Sequence, residues 1–187
     1  MLDGISDELL DSYESERLPV AARVLGISAA LLEKHLSGAD DAFERGEETR
    51  QLDVSYRGGP LTLDDGSSSV VAAGDRAPDA PCSGRMSGLE GRPTRLFDCY
   101  AGPLWTLVRF GVTAPILDRA GVASYCIGDD LIDVDSHIRN AYDVKDGAAV
   151  LVRPDGYIGA ITSQPGDLTS YADRVMPVGS RTSPRRR

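Results

Sequence analysis

The chain has 187 residues, of which 41% are hydrophobic, so it is long enough for one domain with a proper core, or for a small domain with an arm. Its net charge of −9 argues against a general binder of nucleic acids or anionic membranes. The three arginines of residues 185–187 form a short basic tail, which is typical of a solvated chain end.

The N-terminus and the cysteines indicate the compartment. The first residues are acidic and polar and lack the features of a signal peptide, and no apolar run approaches the roughly 20 residues that span a membrane. Cys82, Cys99 and Cys126 are odd in number and widely spaced, which favours free thiols in a reducing compartment, although pairing among them stays open. We therefore expect a cytoplasmic protein.

Residues 1–38 are predicted to form a helical arm. Ser6 or Asp7 can cap its first piece. Pro19 predicts a break, with a new helix starting there, because proline is comfortable in a first turn and costly in a helix interior. Beyond it, four apolar residues recur at helical spacing, namely Val20, Val24, Ile27 and Leu31. This face must pack on something, and the rest of the chain is only one candidate.

Residues 39–103 are predicted to form an irregular connector that is rich in Gly, Pro, Ser and Asp. Short strands are expected at residues 54–56 and 69–72. A loop this long is unusual inside a compact domain, and one explanation is that it lies against another domain.

Residues 104–178 are predicted to form one compact α/β domain, followed by a disordered basic tail at residues 179–187. The predicted elements are a strand at 104–110, a helix at 114–120, a strand at 122–127, a short helix at 137–142, a hairpin within 148–161, and a last helix that starts at Asp167 and stops at Pro177. The order β-α-β-α-β-β-α is that of a thioredoxin-like domain.

The hairpin is the most informative local signal. Five consecutive apolar residues run into Arg153-Pro154-Asp155-Gly156, and a second apolar run follows at once. Pro154 presets φ for the second position of a turn, and Gly156 accepts the positive φ needed to leave it. Since the first strand shows no alternation, we expect it to be buried on both faces at the centre of the sheet.

Thiol chemistry would require a reactive cysteine at the start of the helix that follows the first strand, because a helix N-terminus lowers a thiol pKa. Residues 111–115 read GVTAP and contain no cysteine. Cys126, on the second strand, is interpreted as a buried structural thiol. The predicted fold is therefore redox-like but lacks a redox centre.

Five segments carry a family resemblance. They are LLDSYESERLPVAARVL (residues 9–25), QLDVSYRGGPL (51–61), GDRAPDAP (74–81), RLFDCYAGPLWTLVRFG (95–111) and VLVRPDGYIGAI (150–161). In this order they resemble the C-terminal portion of class A FAD-dependent aromatic hydroxylases, the group that includes pentachlorophenol, hydroxyphenylpropionate and rifampicin monooxygenases.

The resemblance implies a division of labour. The first segment would be the helix that closes the FAD and substrate domains, and the thioredoxin-like domain, without active-site cysteines, would serve packing or dimer contacts. The chemistry of such enzymes resides in a larger N-terminal part, where a GxGxxG turn holds the FAD pyrophosphate and further motifs contact the flavin and NAD(P)H. No GxGxxG occurs in this chain. FAD and NAD(P)H are thus implied for the full-length family, and we expect this chain alone to bind no cofactor.

No catalytic, cofactor-binding or metal-binding residue is assigned. His35 and His137 are far apart and lack ligand spacing, and the Gly74-Asp75 pair is interpreted as part of the family's linker rather than as its flavin contact. An acidic group is interpreted as a solvated turn, because it lacks the glycine and terminal glutamate of a calcium loop. It consists of Asp129, Asp130, Asp133 and Asp135.

Two further groups of side chains could make polar contacts with a neighbouring domain. They are Tyr13, Glu16 and Arg17 on the first helix, and Tyr56 and Arg57 in the connector. Both groups are also ordinary helix or loop residues, so neither is assigned to a ligand.

Three functions of different classes are left. The first is a C-terminal fragment of an FAD-dependent, NAD(P)H-using aromatic-ring monooxygenase, inactive by itself because the FAD-binding domain is missing. The second is a stand-alone thioredoxin-like interaction or dimerisation module, which pairs with itself or with a separately encoded FAD-binding subunit. The third is a thiol oxidoreductase or peroxidase, against which the missing cysteine counts heavily. The substrate is not predicted, because its pocket would be built by residues outside this chain.

Overall fold

The computed structural model describes residues 7–37, 54–84 and 93–176. The predictions on Ser6, on Pro177 and on the tail at residues 179–187 lie outside these residues. Within the described ranges, no helix is long and apolar enough to cross a membrane.

A single long helix, α1 (Asp7–Ser37), opens the described chain. The predicted helix is confirmed, but the predicted break at Pro19 is wrong, because the helix continues through this residue. Proline inside a helix costs about 3 kcal/mol, since it removes one backbone hydrogen bond and crowds the preceding turn. Good helix formers on both sides, and the docking of the preceding turn described below, offset this cost.

Eight strands form one mixed sheet. They are β1 (Leu63–Asp64), β2 (Pro81–Gly84), β3 (Pro93–Arg95), β4 (Trp105–Phe110), β5 (Val122–Ile127), β6 (Leu131–Asp133), β7 (Ala149–Val152) and β8 (Ile158–Thr162). Their spatial order is β1-β8-β7-β4-β5-β6-β2-β3. At its centre, β4 lies parallel to β5 and antiparallel to β7. The protein is therefore a mixed α/β structure with parallel and antiparallel pairs in the same sheet.

Three short helices cover the two faces of this sheet. They are α2 (Leu96–Tyr100), α3 (His137–Tyr142) and α4 (Pro165–Val175). Residues of α2 and α3 share a buried core with Val150 and Val152 of β7, whereas residues of α4 share a second core with Leu151. Because successive residues of a strand point to opposite faces, one apolar strand serves both cores.

The predicted hairpin is confirmed by the pairing of β7 with β8, in which Val150 lies opposite Ile161. Every residue of both strands is buried, and for β7 this confirms the prediction made from its lack of alternation. The last helix is also confirmed, but its N-cap is Gln164 rather than Asp167, which lies in the first turn. Pro165 takes the first helical position, where its missing N–H has no partner to lose.

The predicted helix at residues 114–120 is wrong. The connection from β4 to β5 has no regular helix and instead begins with a turn at Gly111, whose φ is 90°. Arg109 replaces a helix as the element that organises this loop. Its guanidinium donates to the carbonyls of Val112 (3.1 Å) and Ala114 (3.3 Å), and a helix at residues 114–120 would have used the second of these internally.

The strands predicted at residues 54–56 and 69–72 are also wrong. The connector instead contributes β1, β2 and β3, of which β1 and β3 are the two edge strands of the sheet. A buried pair of phenols joins the connector to the core. Tyr142 donates to the carbonyl of Pro78 (3.0 Å), and its hydroxyl lies 2.6 Å from that of Tyr100. A segment with no period of its own is thus held by pairing and side-chain contacts that are distant in sequence.

Candidate functional site

The turn between β7 and β8 presents a buried arginine. Arg153 donates its backbone N–H to the carbonyl of Tyr157 (2.8 Å) and accepts from the N–H of Gly156 (2.9 Å), which closes the turn. Gly156 has a φ of 83°, a value that glycine adopts at low cost. The guanidinium of Arg153 also donates to Asp155 Oδ2 (2.8 Å).

The main partner of this arginine comes from the other end of the chain. Arg153 Nη1 and Nη2 donate to Glu16 Oε1 (2.9 Å) and Oε2 (3.0 Å), so the pair is bidentate. Both side chains are buried. Such a pair fixes distance and orientation together, because the planar guanidinium matches the carboxylate plane. It therefore fastens α1 to the hairpin turn.

The charge balance of this contact favours the ionised form. Burial alone would lower the pKa of Arg153, but its hydrogen bonds to Glu16 and the charge of Asp155 outweigh it and leave this pKa above its ordinary value. Removing one partner of a buried ion pair is costly, because the other charge is left without compensation. The orientation of α1 thus depends on both partners.

Aromatic rings complete this contact. The ring of Tyr56 is buried, and its centroid lies 5.6 Å from the Arg153 guanidinium and 5.9 Å from that of Arg17. Tyr157 packs edge-on against the same ring, at 4.6 Å between centroids. We call Glu16, Tyr56, Arg153, Asp155 and Tyr157 the Arg153 cluster.

A second ion pair fixes the backbone beside Tyr56. Arg57 donates twice to Asp75, at 2.6 Å each, and Asp75 also accepts from Ser55 (3.0 Å) and from the N–H of Ala72 (2.9 Å). Burial would raise the pKa of Asp75, but these hydrogen bonds hold it below its ordinary value. The Asp75 carboxylate therefore has four donors within this chain.

Gly74 allows the two segments to approach. It accepts from the N–H of Tyr56 (2.8 Å) and has a φ of 99°. A Cβ at this position would lie 2.6 Å from the Tyr56 carbonyl oxygen and closer still to neighbouring backbone atoms. Only glycine fits here without a backbone shift. Both halves of the Gly74-Asp75 pair thus hold the connector together.

The structure brings together residues that the sequence places far apart. Glu16 and Arg17 lie beside Tyr56, so the polar contacts expected of α1 and of the connector are made within this chain. Nothing is described of the Tyr13 side chain. Sequence reasoning treated Arg153 only as a turn residue. An arginine that ends a fully apolar strand needs a buried counter-charge, and this signal could have identified it.

The other polar candidates serve backbone positions. Asp133 accepts from the N–H groups of Ile138 (2.8 Å) and Arg139 (3.1 Å) at the start of α3, and Asp130 accepts from the N–H of Cys126 (2.8 Å). His137 is exposed at the first position of α3. Among the residues that the structure describes, no three His, Cys, Asp or Glu side chains are grouped as a metal ion would require.

The three cysteines are free and buried. Burial, with nearby carboxylates, raises the pKa of Cys82 to about 11, and burial raises that of Cys99 to about 12. Burial also raises the pKa of Cys126. A reactive thiol needs the opposite environment, since the thiolate is the nucleophile. The three cysteines are therefore residues of the buried core.

The connection between β4 and β5 does not fit the pyrophosphate of FAD. Such sites use a helix N-terminus that follows a strand, because free N–H groups there point at the anion. Here a loop held by Arg109 follows β4, and no helix begins between residues 111 and 121. In the part of the chain that the structure describes, this parallel pair thus offers no dinucleotide cradle.

A shallow pocket of about 430 Å³ lies near β1, lined by Gly66, Ser67, Ser68, Ser69, Asp143, Val144 and Lys145. Its serine hydroxyls already donate to partners of this chain. Ser68 donates to the carbonyl of Tyr142 (2.6 Å), and Ser69 donates to Asp143. These bonds hold the connector against the end of α3.

Comparison with known proteins tests the family resemblance. No protein-family model matches the chain. A flavin-dependent monooxygenase of Mycobacteroides abscessus is 38% identical over 174 residues, which cover 92% of this chain and 32% of that protein. Pentachlorophenol 4-monooxygenase of Sphingobium chlorophenolicum is 29% identical over 200 residues, which cover 91% of this chain and 37% of that protein.

The fold is similar to that of solved hydroxylases. An aklavinone-11 hydroxylase, solved as a ternary complex with FAD and aklavinone, superposes with a TM-score of 0.66 at 22% identity, over 91% of this chain and 36% of that one. This chain spans about a third of the length of the curated relatives that it matches. The resemblance is thereby confirmed, and the chain is homologous to a segment of the FAD-dependent aromatic-ring monooxygenases that is consistent with their C-terminal portion.

Proposed function

We propose that this chain is the C-terminal, non-flavin-binding portion of an FAD-dependent, NAD(P)H-using aromatic-ring monooxygenase. By itself it acts as a structural module and does not catalyse the reaction. Residues 104–178 are the thioredoxin-like part, residues 1–38 the helical arm and residues 39–103 the connector between them. A cytoplasmic location is part of the proposal.

The observation that carries this proposal is the Arg153 cluster. Four of the five segments that resemble the hydroxylases meet there or beside it, through Glu16, Tyr56, Asp75 and Arg153. Their side chains bind one another, and the described partners of their charged groups belong to this chain. Contacts among these segments thus hold α1 on the hairpin turn, which is a structural role.

The test is flavin content and turnover. We expect the purified chain, mixed with excess FAD and desalted, to retain no stoichiometric flavin absorbance and to consume no NADPH with phenolic substrates. A matched sample of a complete relative, treated in the same way, controls for loss of flavin during desalting. A yellow protein with one FAD per chain would contradict the proposal.

A second candidate function is a stand-alone interaction module, paired with itself or with a separately encoded FAD-binding subunit. The exposed apolar side chains of α1 favour it. The DNA upstream of the start codon discriminates between the two. A reading frame that encodes a strand, GxGxxG and a helix supports a split or truncated enzyme, and an unrelated gene supports the module.

A further inference from the structure

One face of α1 carries a regular apolar seam. The seam has residues at spacings of four and three, with large and small residues in alternation up to Leu32 and a further large residue at its end, namely Leu18, Ala22, Leu25, Ala29, Leu32 and Leu36. All six are exposed, and the four leucines are between 59% and 77% exposed. Alternating spacings of four and three are those of the core positions of a coiled coil. The pattern indicates that an α-helix is what covers this seam.

The seam faces away from the rest of the molecule. Glu16 docks α1 on the hairpin turn, and Leu18 lies two residues further, which is about 200° around the helix. Val20 and Ile27 lie on the docked side and are half-buried, whereas the seam is open. The Arg153 cluster thus orients α1 so that the seam points outward.

We propose that the seam binds the same seam of a second copy of this chain, in antiparallel orientation, about a two-fold axis that crosses the seam at the level of residue 27 along the helix. Leu25 then lies opposite Ala29 of the second copy, and Leu32 lies opposite its Ala22. In these central layers each large side chain meets a small one, so they fill without gaps or overlap. At the two ends, Leu18 lies opposite Leu36. The arrangement is self-complementary, as a two-fold interface requires.

Parallel pairing fits less well. In register, it would place Leu25 against Leu25 and Ala29 against Ala29, so crowded and hollow layers would alternate. The flanking positions also suit a close approach, because Ala21, Gly26 and Ser28 are small, and a Cβ at Gly26 would meet no other atom. The geometry therefore selects the antiparallel pair.

Oligomeric state tests the interface. We expect sedimentation equilibrium of the full chain to show a monomer–dimer equilibrium in the micromolar range, and Leu25→Glu to shift it to monomer. Ala30→Glu adds the same charge at an exposed position of α1 outside the seam and is expected to leave the dimer intact. Helical content by circular dichroism verifies that both variants keep α1. A monomer throughout this range, or a dimer that survives Leu25→Glu, would overturn the proposal.

Cross-linking tests the orientation. In the antiparallel pair the two copies of residue 18 are about 27 Å apart, too far for a disulfide. We expect Leu18→Cys alone and Leu36→Cys alone to form no disulfide-linked dimer under mild oxidation, and an equimolar mixture to form one. The unmodified chain, with its three buried thiols, is the control. Cross-linking of Leu18→Cys with itself would refute the antiparallel arrangement. These outcomes are independent of flavin binding, so they can fail while the proposed function stands.

Discussion

The docking of α1 makes a quantitative prediction for Glu16→Gln. The substitution keeps the shape of the side chain but removes the charge that Arg153 binds with two hydrogen bonds of 2.9 and 3.0 Å. Breaking a buried ion pair costs about 3–5 kcal/mol. Arg153 keeps Asp155 at 2.8 Å, which compensates part of its charge, so we expect about 3 kcal/mol.

This loss concerns the docking of α1 rather than the unfolding of the sheet. The two buried cores lie between the sheet and α2, α3 and α4, and none of the α1 side chains that the structure describes belongs to them. A loss of about 3 kcal/mol raises the undocked population of α1 about 100-fold. We expect hydrogen exchange and limited proteolysis of residues 7–37 to accelerate by about this factor, whereas the exchange of β7 and β8 amides changes little.

The control is Glu14→Gln, which removes the same charge from an exposed position of the same helix. It is expected to leave exchange and proteolysis of α1 unchanged, because exposed charges contribute little. Equal exchange rates in the two variants would refute the reasoning. So would a large loss in β7 and β8, since it would mean that α1 and the sheet unfold as one unit.

The other predictions concern the connector and the thiols. Gly74→Ala should lower the free energy of unfolding by more than about 2 kcal/mol, because the φ of residue 74 is 99° and a Cβ there would clash. The control Gly66→Ala, at a φ of 74° with open space around the Cβ, should cost about 1 kcal/mol. Thermal melts of the two variants compare these losses. Cys99 should resist a thiol reagent at pH 8 until the chain unfolds, because burial raises its pKa to about 12; rapid reaction of the folded chain would contradict this. Asp75→Asn should lower the free energy of unfolding at pH 7, because the pKa of Asp75 is lowered in the folded chain. In urea titrations, the difference in this free energy between the variant and the unsubstituted chain should shrink as the pH falls below about 3.8. A difference that does not depend on pH would exclude this ionic contribution.

The sequence predicted correctly those helices and strands that are determined by residues close together in the chain. The β7–β8 hairpin followed from an apolar run, a proline and a glycine, and α4 followed from its apolar spacing. The helix at residues 114–120 failed because its Pro115 and Gly121 are compatible with a loop as well as with helix ends. What decided the outcome was Arg109, which binds the loop carbonyls from the preceding strand. Likewise, α1 continues through Pro19, and the turn before this proline carries Glu16, whose partner Arg153 lies outside the helix.

The candidate site was beyond such patterns for a related reason. Glu16 and Arg153 are 137 positions apart, and the sequence around either residue does not identify the other as its partner. A charged residue at the end of a buried strand indicates only that a partner of opposite charge lies near it. The connector was predicted as irregular with a short strand at residues 54–56. These residues form no strand, yet Tyr56 is held there by Gly74 and by two guanidinium groups.

The hairpin signature acquires a physical explanation from these contacts. In the sequence RPDGY, Arg153 binds Glu16, Asp155 binds Arg153, Gly156 closes the turn and Tyr157 packs on Tyr56. Each of these residues has a partner on α1, in the connector or in the turn itself, and none needs a flavin to account for its type. A segment that is shared with flavin-dependent hydroxylases can therefore be retained for the orientation of one helix. On this argument, Arg153→Lys should loosen α1 although the charge is kept, because an ammonium group cannot make the bidentate contact with Glu16. Hydrogen exchange of α1 that is unchanged in Arg153→Lys would show that charge alone, without the fork geometry, holds the helix.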